Sequence, residues 1–484
     1  MDCVRLPQAS TLLKKLGVPL AALTADSRRA GPGIAFAAYP GTAHDGRAFI
    51  PQAIAAGAPA VLWEEDHFLW DPAWPVPNLA VPGLKSRIGE IAACVYGDPA
   101  SRLSMIGVTG TNGKTSVTHW IAQALNFIGT PSAVIGTLGN GFTDRLSPAT
   151  NTTPDAVALQ EMLARYLEQG ARACAMEVSS HGLHQGRVNG CRFDIAVLTN
   201  LSRDHLDYHG SMEAYAAAKA ELFAWPGLAH AVLNLDDDFG RALAQKAGRA
   251  RVVGYGFERG EVVAEAVREG REGMTLSLNT AWGRAELEAA LLGRFNACNL
   301  MAALAVLLVS GIPLERACAA LAQVRPPAGR MQTLGGGERP LVVVDYAHTP
   351  DALEKVLKTL RPLAGAGRVI CVFGCGGNRD KGKRPLMGRA AAQGADLIYV
   401  TSDNPRNEDP LAIIADILHG VKTDTALMEP DRAQAIFRAV AEADANDIVL
   451  IAGKGHEDYQ EVQSQKLHFS DVDMAHDALK AWLA

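Results

Sequence analysis

A short apolar run at residues 105–108 leads without a break into Thr109-Gly110-Thr111-Asn112-Gly113-Lys114-Thr115, and residues 116–125 after it follow a helical pattern. This order of strand, glycine loop and helix constrains the fold more than any other feature of the chain. The loop's backbone N–H groups and the helix N-terminus converge on one spot, which suits a chain of phosphates. A strand that feeds a helix in this way belongs to the parallel sheet of an α/β domain. In such a loop Lys114 contacts the outer phosphates and the Thr115 hydroxyl ligates Mg²⁺. The general motif has glycine where this chain has Val108, so the match is to a variant. The alternative is a glycine turn that holds no ligand.

The same alternation of short β-rich runs with helical segments continues along the chain. Runs at 34–39, 60–63 and 78–81 predict a small N-terminal sheet. A second series lies at 103–108, 173–178, 195–199 and 230–235, with helical segments at 156–169 and 212–223. A third lies at 341–345, 369–373, 397–401 and 448–452. Tyr96-Gly97-Asp98-Pro99 reads as one linker, and the paired prolines Pro326-Pro327 mark a second boundary. With 484 residues, too many for one core, the chain is expected to be α/β in three domains. These are a small N-terminal domain at 1–100, a central P-loop ATPase-like domain at 101–326 with a mostly parallel sheet, and a C-terminal Rossmann-like domain at 327–484.

Net charge is −6, which implies no general attraction to nucleic acid or an anionic membrane. The N-terminal residues lack the apolar core of a signal peptide. The longest apolar run, near 301–309, falls far short of the ~20 residues that span a bilayer. Eight cysteines are scattered without zinc spacing, and Cys371 and Cys375, flanking a glycine turn, read as buried reduced thiols. The expectation is a cytoplasmic protein with no membrane insertion and no nucleic-acid partner.

Two later strand ends carry polar residues where open α/β sheets build their sites. In Met176-Glu177-Val178-Ser179-Ser180-His181, Glu177 sits amid an apolar run, and a carboxylate there needs a partner such as a cation. In Thr199-Asn200-Leu201-Ser202-Arg203-Asp204-His205, the imidazole of His205 offers nitrogen, an unusual donor for Mg²⁺, which prefers oxygen. Further on, Lys219 follows Tyr215-Ala216-Ala217-Ala218. By composition alone it reads as a snorkelling surface lysine.

Residues 109–115, 177–181, 200–209 and 215–219, in this order and spacing, resemble the central domain of the Mur ligases. The resemblance implies that Lys219 is carbamylated by CO₂, which turns an ammonium into an anionic oxygen ligand. It implies that Thr115 and Glu177 hold one Mg²⁺ while His205 and the Lys219 carbamate assist a second. Lys114, Glu177, His205 and Lys219 are then the catalytic set. Gly110, Thr111, Asn112, Gly113, Lys114, Thr115 and Ser116 grip ATP. Asn296, in Gly293-Arg294-Phe295-Asn296, matches the family's adenine contact. Arg330 matches a phosphate contact, and Asp345, in Asp345-Tyr346-Ala347-His348, a ribose contact.

The N-terminal domain is expected to hold the UDP end through Ser27, Thr42 and His44, by likeness of Asp26-Ser27-Arg28 and Gly41-Thr42-Ala43-His44 to the family's uridine loops. Thr152, Thr153, Ser179, Gln185 and Arg187 resemble positions that grip a muramoyl dipeptide. In the C-terminal domain Asp403-Asn404-Pro405-Arg406 matches the tetrapeptide of family members that add diaminopimelate. A guanidinium can fork onto the distal carboxylate that lysine lacks. Arg379 reads as another carboxylate binder within Gly376–Pro385, a basic run that otherwise reads as a solvated loop. Gly453 and Glu457, in Gly453-Lys454-Gly455-His456-Glu457, match amino-acid contacts, with Glu457 suited to an ammonium.

The activity this implies is ATP-dependent addition of meso-2,6-diaminopimelate to UDP-N-acetylmuramoyl-L-alanyl-D-glutamate through an acyl phosphate, in peptidoglycan synthesis, by a monomer. His181 and His205 both stand as candidate bases for the attacking amine. The alternatives are a lysine-adding ligase, a folylpolyglutamate synthetase-like enzyme and, in another class, a P-loop regulatory ATPase.

Overall fold

The structure, a computed structural model, describes residues 5–41, 44–246, 248–421 and 425–482. The chain divides into two compact units. Met1–Glu265, Leu278–Ala285 and Cys298–Leu321 form the first, and Ala266–Ser277, Glu286–Ala297 and Ala322–Ala484 the second. Among the described residues no helix is long and apolar enough to cross a membrane.

The first unit begins with a parallel four-stranded sheet of Ala22–Thr24, Ile34–Ala38, Val61–Trp63 and Asn78–Ala80. Helix Leu84–Val95 covers it because Leu84, Ile88, Ile91 and Ala92 fall at helical spacing on one buried face. Its first N–H groups are satisfied by the buried carboxylate of Glu64, which accepts from Gly83 N at 3.0 Å and Leu84 N at 2.6 Å. Ala156 and Val157 complete that core.

In the following sheet Ser104–Thr109 runs parallel between Ile195–Leu198 and Ala173–Glu177. These strands read as continuous apolar runs because both their faces are covered. Register decides what meets at their C-terminal ends: Val108 lies beside Glu177, and Thr109 beside Leu198. The sheet is not parallel throughout. Ser132–Gly136 pairs antiparallel with Gly139–Phe142, which pairs antiparallel with Arg145–Ser147.

The second unit holds a six-stranded sheet in the order Gln332–Gly335, Leu341–Asp345, Ile448–Ala452, Val369–Phe373, Leu397–Val400 and Ala426–Met428, parallel except for the first strand. Apolar side chains cover both faces. Within this core Arg432 and Asp471 form a fully buried ion pair, and the guanidinium also donates to Ala452 O at 3.0 Å and Ser402 O at 3.3 Å. One buried cation thus braces the ends of two strands. Losing its partner would strand a charge in the core, at a cost of about 3–5 kcal/mol.

Candidate active site

The glycine loop is moulded by the neighbouring strand end. Gly110 sits at φ +147°, and a Cβ there would collide with the Thr199 hydroxyl. That hydroxyl donates to Asn112 O at 2.6 Å. The Asn200 side chain clasps Asn112 from both sides, accepting from its N–H and donating to its carbonyl, each at 3.0 Å. Thr111 N donates to Asn200 O at 2.9 Å, and the Thr111 hydroxyl to Ser202 O at 3.1 Å. Helix Lys114–Phe127 then starts at Gly113 with no side-chain cap, and a helix N-terminus of this kind suits an anion. Thr115 and Ser116 are buried in its first turn. Lys114 curls back and donates to Gly110 O and Thr111 O, both at 2.8 Å.

Glu177, buried at the end of its strand, accepts from the Thr115 hydroxyl at 3.0 Å, from Thr137 N at 2.9 Å and from the Thr137 hydroxyl at 3.2 Å. Gly136 makes room for this carboxylate, since a Cβ at that position would run into it. Sequence reasoning missed Gly136 and Thr137. Their signal was a glycine-threonine pair closing a strand, as plain as Gly110-Thr111 in the phosphate loop.

Lys219 is not a surface lysine. Its side chain is buried, with Nζ donating to Gly110 O at 2.9 Å and lying 4.5 Å over the Tyr215 ring. Burial, then the nearby Lys114 charge, holds its pKa well below the ordinary lysine value. The Tyr215 hydroxyl meets the Thr111 hydroxyl at 3.3 Å. His205 lies edge-on to Tyr215, ring centroids 6.2 Å apart. Its backbone is left-handed at φ +53°, and its ring is half exposed, 3.4 Å from the Asp204 carboxylate. His181 stacks edge-on to His205 at 4.8 Å, and burial followed by the His205 and His209 rings pushes it down to about 4.

The residues expected at the muramoyl dipeptide join this network. The Thr152 hydroxyl meets that of Thr137 at 3.0 Å; the Thr153 hydroxyl donates to Glu177 O at 2.9 Å and meets Ser179 Oγ at 3.0 Å. Ser179 caps helix Ser180–His184. Arg187 donates from Nε to Gln185 Oε1 and from Nη1 to Thr153 O, both at 2.9 Å. Gln185 and Arg187 line a cavity of about 150 Å³ together with Tyr39, Gly41 and Lys85. His44 is tied to its rim, its carbonyl accepting from Gly41 N at 2.8 Å. Ser27, which opens a turn capped by Asp26, does not line that cavity. Thr42 lies outside the described residues.

Three of the expected nucleotide contacts, Asn296, Arg330 and Asp345, belong to the second unit. Arg330 lies 4.5 Å over the Tyr346 ring, and Met331 N donates to Asp345 Oδ2 at 2.8 Å. Burial raises the Asp345 pKa, opposed by the Arg330 charge. Asn296 is buried, donating to Leu292 O at 2.8 Å.

The loops expected to hold the amino acid are joined too. Gly377 N donates to Asn404 O at 2.9 Å, and Asn407 N to Asn378 Oδ1 at 3.1 Å. Arg379 is exposed on the first loop. Gly453, at φ +115°, faces the Asp403 carboxylate. Asn404 Nδ2 donates to Glu457 Oε2 at 2.8 Å. The basic run is only partly the solvated loop that its composition suggests. Lys383 opens helix Lys383–Gly394, and Arg384 is buried against Glu408 and Asp416. Its neutralising carboxylates are distant in sequence, so charge count alone gave no hint of burial.

Three family descriptions match this chain in succession: Mur ligase family, catalytic domain, over residues 19–96; Mur ligase middle domain over 108–307; and Mur ligase, glutamate ligase domain, over 329–455. A Chromobacterium violaceum protein named UDP-N-acetylmuramoyl-L-alanyl-D-glutamate--2,6-diaminopimelate ligase is 54% identical over 97% of this chain and 96% of its own length. The chain belongs to the Mur ligase family. A Pseudomonas aeruginosa relative of the same name is 53% identical over 95% of both chains. A solved structure of a Mur ligase with that name superposes with a TM-score of 0.73 at 40% identity, covering 96% of each chain. Mur ligase membership agrees with the sequence resemblance, and the sheets are the mixed and mostly parallel α/β layers expected of it.

Proposed function

We propose that this Mur ligase joins meso-2,6-diaminopimelate to UDP-N-acetylmuramoyl-L-alanyl-D-glutamate at the expense of ATP, in peptidoglycan synthesis. The observation that carries the reading is identity of 54% and 53%, over nearly the whole chain, to relatives bearing that name. The Asp403–Arg406 tetrapeptide supports diaminopimelate over lysine, because Arg406 has no carboxylate to receive from a lysine side chain. A monomer acting in the cytoplasm, where ATP and nucleotide-linked sugars are made, completes the reading.

In this reading the glycine loop and Lys114 hold and neutralise the ATP phosphates, and Arg187 with Thr152, Thr153 and Ser179 presents the D-glutamyl carboxylate. That carboxylate takes the γ-phosphoryl group, ADP leaves, and the neutral amine of diaminopimelate attacks the acyl carbon to expel phosphate. No protein nucleophile is needed; positioning and charge neutralisation do the work. His181 is a weak base at about 4, which disfavours it as acceptor of the amine proton.

The donor set fits Mg²⁺: a hydroxyl from Thr115 beside a buried carboxylate from Glu177, both hard oxygens. Mg²⁺ in nucleotide sites takes its remaining ligands from phosphate oxygens and water. Such an ion supplies charge neutralisation at the transferring phosphoryl group. His205 and a Lys219 carbamate are proposed to assist a second ion. The buried Lys219 amine suits carbamylation, since only a neutral amine adds to CO₂, forming an N–C bond and releasing a proton.

Phosphate release measured with ATP, the UDP-muramoyl dipeptide and each amino acid in turn tests this. Release that depends on diaminopimelate is expected. Release that needs no amine would point to a regulatory ATPase, and release with lysine alone to the lysine-adding enzyme.

A further inference from the structure

Arg406 is held by more than the loop that carries it. Its backbone is left-handed at φ +52°, a conformation that a non-glycine residue keeps only when its surroundings enforce it. The enforcement comes from strand Tyr459–Val462: Arg406 N donates to Glu461 O at 2.9 Å, and Gln463 N to Arg406 O at 2.8 Å. The side chain is pinned separately. Nε donates to Glu461 Oε2 and Nη1 to Gly377 O, both at 2.9 Å. Nη2 has no partner among the described residues, so it keeps its donors for a ligand. Glu461 N in turn donates to Asn404 Oδ1 at 2.9 Å, and Asn404 reaches Glu457.

The backbone bonds already tie the strand to the loop. The Glu461 carboxylate adds something only the guanidinium uses, which is orientation. We propose that Glu461 is a specificity-determining positioning residue, fixing Arg406 so that it receives the distal carboxylate of a diamino dicarboxylic acid. The inference rests on the ligase reading above. An arginine left free would have to surrender several rotatable bonds when the substrate arrived, and holding it beforehand removes that loss from binding. An acid beside an anion-binding arginine also repels an incoming carboxylate. The distal carbon of diaminopimelate carries an ammonium as well, so it brings no net charge to Glu461, and the gain from orientation remains.

Steady-state kinetics of Glu461→Gln, with diaminopimelate and with lysine, test the proposal. The KM for diaminopimelate should rise about tenfold or more, with kcat falling less than about threefold and the ATP KM unchanged. Lysine kcat/KM should fall far less, because lysine lacks the carboxylate that Arg406 receives, so discrimination between the two amino acids shrinks. In an Arg406→Ala background the same substitution should have no further effect. An unchanged discrimination ratio, or an equal loss in the Arg406→Ala background, would overturn the proposal. Glu461→Asp, which keeps the charge but shortens the reach, serves if Glu461→Gln does not fold and should raise the same KM. Wild-type enzyme whose phosphate release ignores diaminopimelate would remove the ligase reading itself, a separate outcome read before any variant.

Discussion

Lys219 and Lys114 donate to the same acceptor, Gly110 O, at 2.9 and 2.8 Å. Two ammonium groups on one carbonyl repel each other, and the buried one yields its proton more readily. After burial, the Lys114 charge in the phosphate loop is therefore the second influence that lowers the Lys219 pKa.

If that amine carries a carbamate in the working enzyme, Lys219→Ala should lower kcat by about a hundredfold or more. Added acetate or propionate should restore part of the loss by filling the place of the carbamate. Turnover in Lys219→Ala equal to wild type, without added acid, would end this assignment.

The approach of Gly136 to Glu177 gives a second test. A methyl at 136 collides with the carboxylate, and overpacking of this kind costs about 1–3 kcal/mol. Gly136→Ala should raise the Mg²⁺ concentration needed for half-maximal activity while leaving the KM for diaminopimelate alone. A magnesium titration identical to wild type would show that Glu177 does not face the ion.

Arg406→Ala removes a charge-assisted contact worth about 1.5–3 kcal/mol, so diaminopimelate kcat/KM should fall roughly ten- to a hundredfold. Lysine use should change little. Equal losses on both amino acids would mean that Arg406 only holds its loop, and a raised ATP KM would place it at the nucleotide.

Glu408 ties the loop of Arg379 to the buried Arg384. Hydrogen bonds from the Arg384 guanidinium, then from Asn378 N–H, hold its carboxyl down to about 2. A carboxyl depressed in the folded state contributes stability above its unfolded value of about 4.3 and loses that contribution as pH falls toward 2. Melting temperature followed from pH 5 to pH 2 should therefore drop more steeply in wild type than in Glu408→Gln. Parallel curves would show that the pair adds no pH-dependent stability.

Much of this was legible in the amino-acid order. Strands buried on both faces, such as Val369–Phe373 and Ile448–Ala452, announce themselves as unbroken apolar runs, and the site motifs sit at their ends. The antiparallel pieces were not legible. Gly139–Phe142, for one, contains two glycines and no β-branched residue. Glu461 and Glu408 escaped notice because their partners, Arg406 and Arg384, are set by loop folding and not by spacing. Composition alone misplaced Lys219, since a lysine after three alanines looks like any solvated lysine until the fold buries it.

Arg432, anchored beneath both Ser402 O and Ala452 O, separates what must stay constant from what can vary. The sheet ends that carry the loops proposed to bind the amino acid share one fixed footing. Loops exchanged with an enzyme of differing preference are therefore expected to seat on this sheet as long as the Arg432–Asp471 pair is kept.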